Sequence, residues 1–470
     1  MLPLLPCMLL LAPAASAAMA DPAPDPYASV KALYRRIEAE VDPKLSDGDY
    51  LGAVAASGEF VKQERDVGAL GFLLDLRSSY LAAAGEDGAA RLSMARYRGV
   101  AAPMSPAREY DEKAWAAARA QVRWETPEDV LRRAAAAHSV IMISEAHHVP
   151  ETRAFGARML ELLKGLGFEY LAMEGLRFPV PPDAVRVRRS TATDAVSGYY
   201  MMEPQMAGLV REARRLGFKL VAYEDETTGG GDREEIQGRN LYERVLKARP
   251  DAKVVVWAGY GHVYKRSPYP NQKLMAQWVW ELTGREPFCL YQVEDARDPL
   301  GADRAFYKPL VLDDAKRPRR ALVLINRKGL FPALDAIADN GLDRRDDGAA
   351  VVDGYVVHPP FSPRAAGSLR PAWIAREGLR RVDGMLDGEP GEAVMAQAFP
   401  AEEGVGSVPA DQFVVDSSGR FELWLRPGRY ILRIRDAHGR VRLETPGEVP
   451  ASGAAALSLR LPVLPAYKPR

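Results

Sequence analysis

The stretch SVIMISEAHHVPETR, Ser139 to Arg153, ends an apolar run in a glutamate and two adjacent histidines, Glu145, His147 and His148. Imidazole changes charge nearest neutral pH, so a histidine in such a place can take a proton from water or ligate a metal ion. A carboxylate behind it would fix the tautomer and stabilise the imidazolium. The chain holds 6 histidines, and two of them share this stretch. Groups of the same chemistry end other apolar runs. Glu174 follows FEYLAM, and Glu224, Asp225 and Glu226 follow FKLVAY. Tyr260 and His262 follow AKVVVWA, Glu294 follows PFCLYQV, and His358 follows GYVV. Arg233 opens the segment DREEIQGRN behind Asp232, a natural helix N-cap, and Asn240 stands two turns further along the same face. Arg233 reads either as a solvated helix-end charge or as a cation that orients a carboxylate or stabilises an oxyanion.

The elements that must position these residues follow from the pattern beyond Pro127. Short apolar runs of the kind buried on both faces alternate with amphipathic stretches such as PETRAFGARMLELLKGLG and EPQMAGLVREARRLG. Phe155, Met159 and Leu163 repeat every four residues, a stripe that faces a sheet, and Gly165, Gly167 and Gly217 stand where helices stop. Strand alternating with helix predicts an α/β fold: a mainly parallel sheet with helices on both faces. Ligands bind such sheets beyond the carboxyl ends of the strands. The carboxylates and imidazoles therefore converge on one edge.

Around this domain, expected over 127–379, the pattern differs. Residues 1–20 have the shape of a signal peptide, with AMA before Asp21 as the cleavage point, which predicts a periplasmic or secreted protein. Residues 21–126 read as helical; Val30, Leu33, Ile37 and Val41 keep helical spacing, so this region packs a core or caps the next domain. Residues 380–470 read as a small antiparallel β-sandwich. There Phe421, Leu423 and Leu425 alternate, RPG turns, and Tyr430, Leu432 and Ile434 alternate, which predicts an antiparallel hairpin. This part resembles the carboxypeptidase-regulatory-like sandwiches in its DSSGRF and RPGRY strings.

Composition narrows the partners. A chain of 470 residues suggests two or three domains, and 63 Lys and Arg against 63 Asp and Glu give no net positive charge of the kind nucleic-acid binding favours, so no nucleic-acid partner is expected. No segment after the signal peptide is apolar enough to cross a bilayer, so no integral membrane segment is expected; the expected partner is a small-molecule substrate. Once the signal is cut, Cys289 alone remains, and its apolar surroundings make it a buried small hydrophobe.

The strings SEAHH, LGFEYLAMEGL, GFKLVAYEDE, REEIQGRNL and VVVWAGYGHV together resemble the erythromycin-esterase/ChaN-like superfamily, over roughly 127–292. That superfamily groups macrolide esterases, ChaN-type haem-binding proteins and Tiki-type proteases. The resemblance implies site residues Glu145, His147 or His148, Glu174, Arg233, Asn240 and His262. Ser144 stands where the family usually has glycine. His147 matches the shorter spacing, G-E-x-H, of the haem-binding and protease branches, and His148 the longer, G-E-x-x-H, of the esterases.

Three readings follow. In the first, the esterase resemblance implies a metal-free hydrolase: a histidine-activated water attacks an ester or lactone. Glu145, Glu174 and Glu224 are available behind the histidine, His262 assists, and Arg233 holds the oxyanion. No G-x-S-x-G elbow is present, which argues against an ordinary serine hydrolase. In the second, His147, His148, Glu174 and His262 hold a divalent metal, Zn²⁺ or Mn²⁺, although no H-E-x-x-H motif is present. In the third, the protein binds haem. The segment SGYYMMEPQM, Ser197 to Met206, reads as pocket wall or core rather than a haem motif.

Overall fold

A computed structural model describes residues 28–101, 124–176, 178, 199–224, 232–267, 272–292, 321–325, 351–359, 367–387, 392–452 and 455–460. The proposed signal peptide, Asp225, Glu226 and Glu294 lie outside the described residues. Five helices come first: α1 (Ala28–Glu40), α2 (Asp42–Ser46), α3 (Tyr50–Gln63), α4 (Val67–Ala83) and α5 (Asp87–Ala101).

The six apolar runs named above, joined by Leu322–Ile325 and the short Trp124–Glu125, are strands of one eight-stranded sheet. Its members are β1 (Trp124–Glu125), β2 (Val140–Glu145), β3 (Tyr170–Met173), β4 (Lys219–Ala222), β5 (Val254–Gly259), β6 (Phe288–Gln292), β7 (Leu322–Ile325) and β8 (Gly354–Val357). They lie in the order β1-β7-β8-β6-β2-β5-β3-β4. From β8 to β4 every pairing is parallel, while β7 runs antiparallel to both β8 and β1. The helices between strands are α6 (Pro127–Ala137), α7 (Pro150–Gly165), α8 (Pro204–Arg215), α9 (Arg233–Leu241) and α10 (Met275–Thr283).

Both faces of this sheet are covered, and the period of two shows how. Val140, Met142, Val254 and Val256 pack with Leu241, Met275 and Val279 of α9 and α10. Their neighbours Ile141, Ile143, Val255 and Trp257 pack with Leu131, Phe155, Leu160 and Leu209 of α6, α7 and α8. Successive strand residues point to opposite faces, so a strand that is apolar at every position must be covered twice. Helix α7 comes close because Gly156 lies against the Trp257 indole, where a Cβ would collide with the ring. Among the described residues no helix is long and apolar enough to cross a membrane.

The last part holds two further sheets. One has the antiparallel order β11 (Asp411–Val414), β10 (Val394–Pro400), β13 (Gly428–Asp436), β14 (Val441–Val449). The other has the order β12 (Arg420–Leu425), β9 (Arg380–Asp387), β15 (Ala455–Arg460). Two expectations need correction here. β12 and β13 are not a hairpin, because β12 pairs with β9 and β13 with β10 and β14. The second sheet is not wholly antiparallel, since β15 runs parallel to β9. The physical reason is that alternation identifies the buried face and not the neighbour. Phe421, Leu423 and Leu425 share one core with Leu432 and Ile434, but across the gap between sheets, and the RPG turn carries the chain from one sheet to the other.

The N-terminal helices pack against both neighbours. Their core includes Met202 and Met395. The Tyr50 hydroxyl donates to the Met202 carbonyl at 2.8 Å, and Arg435 donates to the Asp47 carbonyl at 2.8 Å.

Candidate active site

The polar ends of β2, β3, β4 and β5 meet at one edge, as parallel strands in register require. Glu145 ends β2, and His147 and His148 follow in a turn that leads into α7. Ser144 remains an ordinary strand residue. Its hydroxyl accepts the Gln292 N–H at 2.8 Å, and Gln292 Nε2 donates to its carbonyl at 2.6 Å. A glycine would lack that hydroxyl tie between β2 and β6.

Glu145 is buried and holds two partners. His147 Nδ1 lies 2.6 Å from its Oε1, and Arg153 donates Nε–H to Oε2 at 2.7 Å and Nη2–H to Oε1 at 3.0 Å. Burial alone would raise this carboxyl, but Arg153 and His147 outweigh it and bring it down to about 2. An ionised carboxylate only accepts, so the His147 proton sits on Nδ1 and its Nε2 carries the lone pair. Arg153, one turn into α7, also donates to Glu203 at 3.1 Å. Glu203 in turn accepts the backbone N–H groups of Gln205 and Met206 and so caps α8.

A second cluster surrounds Arg233. Its Nη2 donates to Glu174 Oε1 at 2.8 Å and also to Glu224 Oε1, and its Nη1 lies 3.2 Å from His262 Nε2. Asp232 starts α9 by accepting the Glu234 N–H at 3.0 Å, which sets Arg233 in the first turn at the sheet edge. Glu234 faces His262 Nδ1 at 2.7 Å and accepts the Met275 N–H at 2.8 Å. Nδ1 of His262 thus faces a carboxylate and its Nε2 the Arg233 guanidinium, so the ring is held at both nitrogens. Glu224 also accepts the Gly175 N–H at 3.0 Å and the Gln237 amide at 3.0 Å. Burial opposes charge on Glu174 and Glu234, yet the neighbouring His262 and Arg233 hold both below the usual carboxylate range.

Gly259 joins the clusters. Its N–H donates to Glu174 Oε2. A Cβ built on it would lie 2.8 Å from His147 Nε2 and 2.9 Å from Glu174 Oε2. The imidazole edge and the carboxylate thus flank the same bare Cα. The next residue, Tyr260, has φ +41° and is the single non-glycine residue in the left-handed region among the described residues. That conformation costs on the order of 1 kcal/mol and needs support from its surroundings. It sets the Tyr260 ring edge-on to His147, with centroids 4.8 Å apart, and its hydroxyl 3.3 Å from His148 Nδ1. Tyr200 stacks on His147 with centroids 3.8 Å apart and an interplanar angle of 16°. Tyr200 therefore walls this site, whereas Met201 and Met206 of the same segment are core.

All seven expected residues, Glu145, His147, His148, Glu174, Glu224, Arg233 and His262, come to this edge. The doubled histidine divides: His147 faces Glu145 and the Glu174 cluster, while His148 is fully buried against Tyr260. His358, also at a strand end, stands apart. It bonds Gln292 at 2.8 Å and meets Phe155 edge-on, and burial pushes its pKa down to about 3. Asn240 donates to the Tyr223 carbonyl at 2.9 Å and so anchors α9 to the end of β4. Sequence reasoning gave no role to Arg153, Glu203, Glu234 or Gln237. Arg153 and Glu234 stood within the very strings that drew attention, SEAHHVPETR and REEIQGRN.

The metal reading can be tested on this donor set. Among the described residues no group of three His, Cys, Asp or Glu side chains is arranged to hold a metal ion. The point where Glu174, Glu224 and His262 converge is taken by the Arg233 guanidinium.

Fold and site together define an α/β protein whose parallel sheet bears a buried carboxylate–imidazole–guanidinium cluster beyond its carboxyl edge. No family model matches the chain, and no curated protein matches it. Among solved structures it is similar to the type III effector HopBA1, at 16% identity and TM-score 0.27, over 37% of this chain and 88% of that one. A structure described as "Bacterial protein toxins" is similar at 14% identity and TM-score 0.27, over 56% of this chain and 64% of the other. RRSP, a MARTX toxin effector domain from Vibrio vulnificus CMCP6, is similar at 17% identity and TM-score 0.18, over 51% and 57%. Likenesses this remote carry no argument about function.

Proposed function

We propose that the chain is an exported hydrolase of the erythromycin-esterase/ChaN-like type, in which His147 activates water to attack an ester or lactone. The observation that carries this reading is the Glu145–His147 pair, 2.6 Å apart and backed by Arg153, with the imidazole Nε2 turned toward Gly259 and Glu174. The N-terminal segment supplies the export signal, and the C-terminal sheets form an accessory sandwich of the carboxypeptidase-regulatory-like kind.

In this mechanism water gives a proton to His147 Nε2 while its oxygen bonds to the carbonyl carbon. The carbonyl π pair moves to oxygen, and the negative charge is met by Arg233, whose side chain keeps 29% of its surface exposed. Collapse of the intermediate breaks the carbon–oxygen bond, and the imidazolium returns its proton to the leaving alkoxide. The products are an acid and an alcohol, or a hydroxy acid from a lactone. Glu145 stabilises the imidazolium, and Glu234 and His262 hold Arg233 in place.

The test uses the purified chain, without residues 1–20, on a panel of esters and lactones with and without a chelator. The proposal expects turnover that survives chelation. Turnover abolished by chelation and restored by Zn²⁺ or Mn²⁺ supports the metal-dependent alternative. Absence of turnover together with a Soret shift on haem titration supports the haem-binding alternative, and either result overturns the proposal.

A further inference from the structure

A recess of about 1110 Å³ lies away from the His147 cluster, between α7, α8 and the turn joining β12 to β13. Pockets for small organic ligands usually span about 300–1,000 Å³. Arginines from several elements line it, among them Arg158 of α7, Arg376 after the short turn Ala372–Ile374, and Arg426 between β12 and β13. Trp373, Trp424 and Tyr430 supply aromatic wall. None of His147, Glu174, Arg233 and His262 lines it.

The backbone is cut to fit the guanidinium groups. A Cβ on Gly208 of α8 would lie 3.2 Å from Nη2 of Arg376. Gly378, at φ +75°, lies under Arg426, where a Cβ would collide with Nη1. Acids line it too: buried Glu151 and half-buried Glu128 act on Arg158. Glu212 pairs with Arg215 at 2.6 Å and with Arg426. Glu403 accepts both Nε (2.9 Å) and Nη2 (2.6 Å) of Arg211. Glu161, Glu377 and Glu402 are exposed at the rim. Among the described residues, Arg158 and Arg376 have no carboxylate at ion-pair distance, and Arg376 Nε is buried without a hydrogen-bond partner. Burial lowers the Arg376 pKa to about 10, with Arg158 and Arg426 adding repulsion that Glu212 only partly offsets. Burial likewise lowers the pKa of Arg158. Desolvated like charges are costly, and Glu128 and Glu151 beside Arg158, with Glu212 and Asp411 beside Arg376, offset that cost only in part.

We propose that this recess binds a phosphate-bearing small molecule, with Arg158, Arg376 and Arg426 on the phosphate and the organic part against Trp373 and Tyr430. A planar carboxylate is saturated by one guanidinium fork, as Glu403 is by Arg211. Guanidinium groups brought from separate elements to one recess suit a tetrahedral, doubly charged anion, with Arg426 shared between it and Glu212. The proposal is independent of the hydrolase reading.

Titration calorimetry and thermal unfolding of the full chain test it, with inorganic phosphate, phenyl phosphate and citrate as probes. The expected result is that phosphate or phenyl phosphate raises Tm and binds at millimolar concentration or below. Arg376→Gln and Arg158→Gln should each weaken that binding by about tenfold or more, while Arg132→Gln on the exposed face of α6 leaves it unchanged. Unliganded Arg376→Gln should unfold no earlier than the parent, because the charge it removes is unpaired. Equal binding of both phosphates identifies free phosphate as the ligand; tighter phenyl phosphate identifies an organic phosphate. Citrate bound more tightly than either, no response to either phosphate, or equal responses in the parent and both variants would overturn the proposal.

Discussion

Glu145 Oε1 lies 2.6 Å from Nδ1 of His147, while Oε2 of the same carboxylate accepts Nε–H of Arg153 at 2.7 Å. The carboxylate is thereby fixed in position and in charge, and the imidazole tautomer follows from it. Replacing the carboxylate by an amide of the same shape removes the charge that stabilises the imidazolium. Glu145→Gln is expected to lower kcat by on the order of 10²–10⁴ with a small change in KM. It also strands part of the Arg153 charge, at a cost on the order of 3 kcal/mol. Steady-state kinetics beside a urea titration separates the two effects; unchanged kcat in folded protein would remove Glu145 from the mechanism.

Gly259 gives a sharper steric prediction. A methyl group there meets His147 Cε1 at 2.6 Å and Glu174 Oε2 at 2.9 Å, so both must move. Gly259→Ala should destabilise by about 1–3 kcal/mol and lower kcat more than a surface variant of equal stability loss. A variant as active as the parent would show that the His147–Glu174 approach is not needed.

Arg233 touches Glu174, Glu224 and His262 at once. A lysine keeps the charge but not the planar fork that bridges three acceptors. Arg233→Lys is therefore expected to behave like Arg233→Gln, each losing on the order of 10²-fold in kcat. Full activity of the lysine variant would show that charge alone suffices and the bridging geometry does not matter.

Two glutamates of opposite shift set the pH dependence of stability. Glu145 is depressed to about 2 by Arg153 and His147 against its burial. Its contribution is present above the unfolded value near 4.5 and lost as pH falls toward 2. Glu151 is raised to about 7, first by burial and then by Asp87, against Arg91 and Arg158. Its folded state holds the proton more tightly, so stability is lost as pH rises from 4.5 toward 7. Glu151→Gln should flatten the curve between those values and raise Tm at pH 8 relative to the parent. Parallel Tm-versus-pH curves for the two proteins would contradict this.

Strand positions and the site edge were legible in the sequence because each rests on a local signal. An apolar run bounded by polar residues marks a doubly covered strand, and the parallel rule then gathers Glu145, Glu174, Glu224 and His262. Pairing partners were not legible. Phe421 to Leu425 and Tyr430 to Ile434 show one buried face each, and the same pattern serves a hairpin or two facing sheets. Supporting residues were also hidden. Arg153 and Glu234 look like ordinary charges of a first helical turn until the fold turns them inward, where burial makes their partners obligatory. His358 showed the converse: a strand-end histidine whose strand lies on the far side of β6 from the cluster.

The central claim is that His147, and not its neighbour, is the base. His147→Ala and His148→Ala are compared with the parent for kcat on whichever ester or lactone the chain cleaves, with folding checked by circular dichroism. The account predicts that His147→Ala loses at least about 10²-fold, while His148→Ala, which loses a contact with the Tyr260 hydroxyl, keeps most of its kcat. Turnover retained in His147→Ala and abolished in His148→Ala would contradict it.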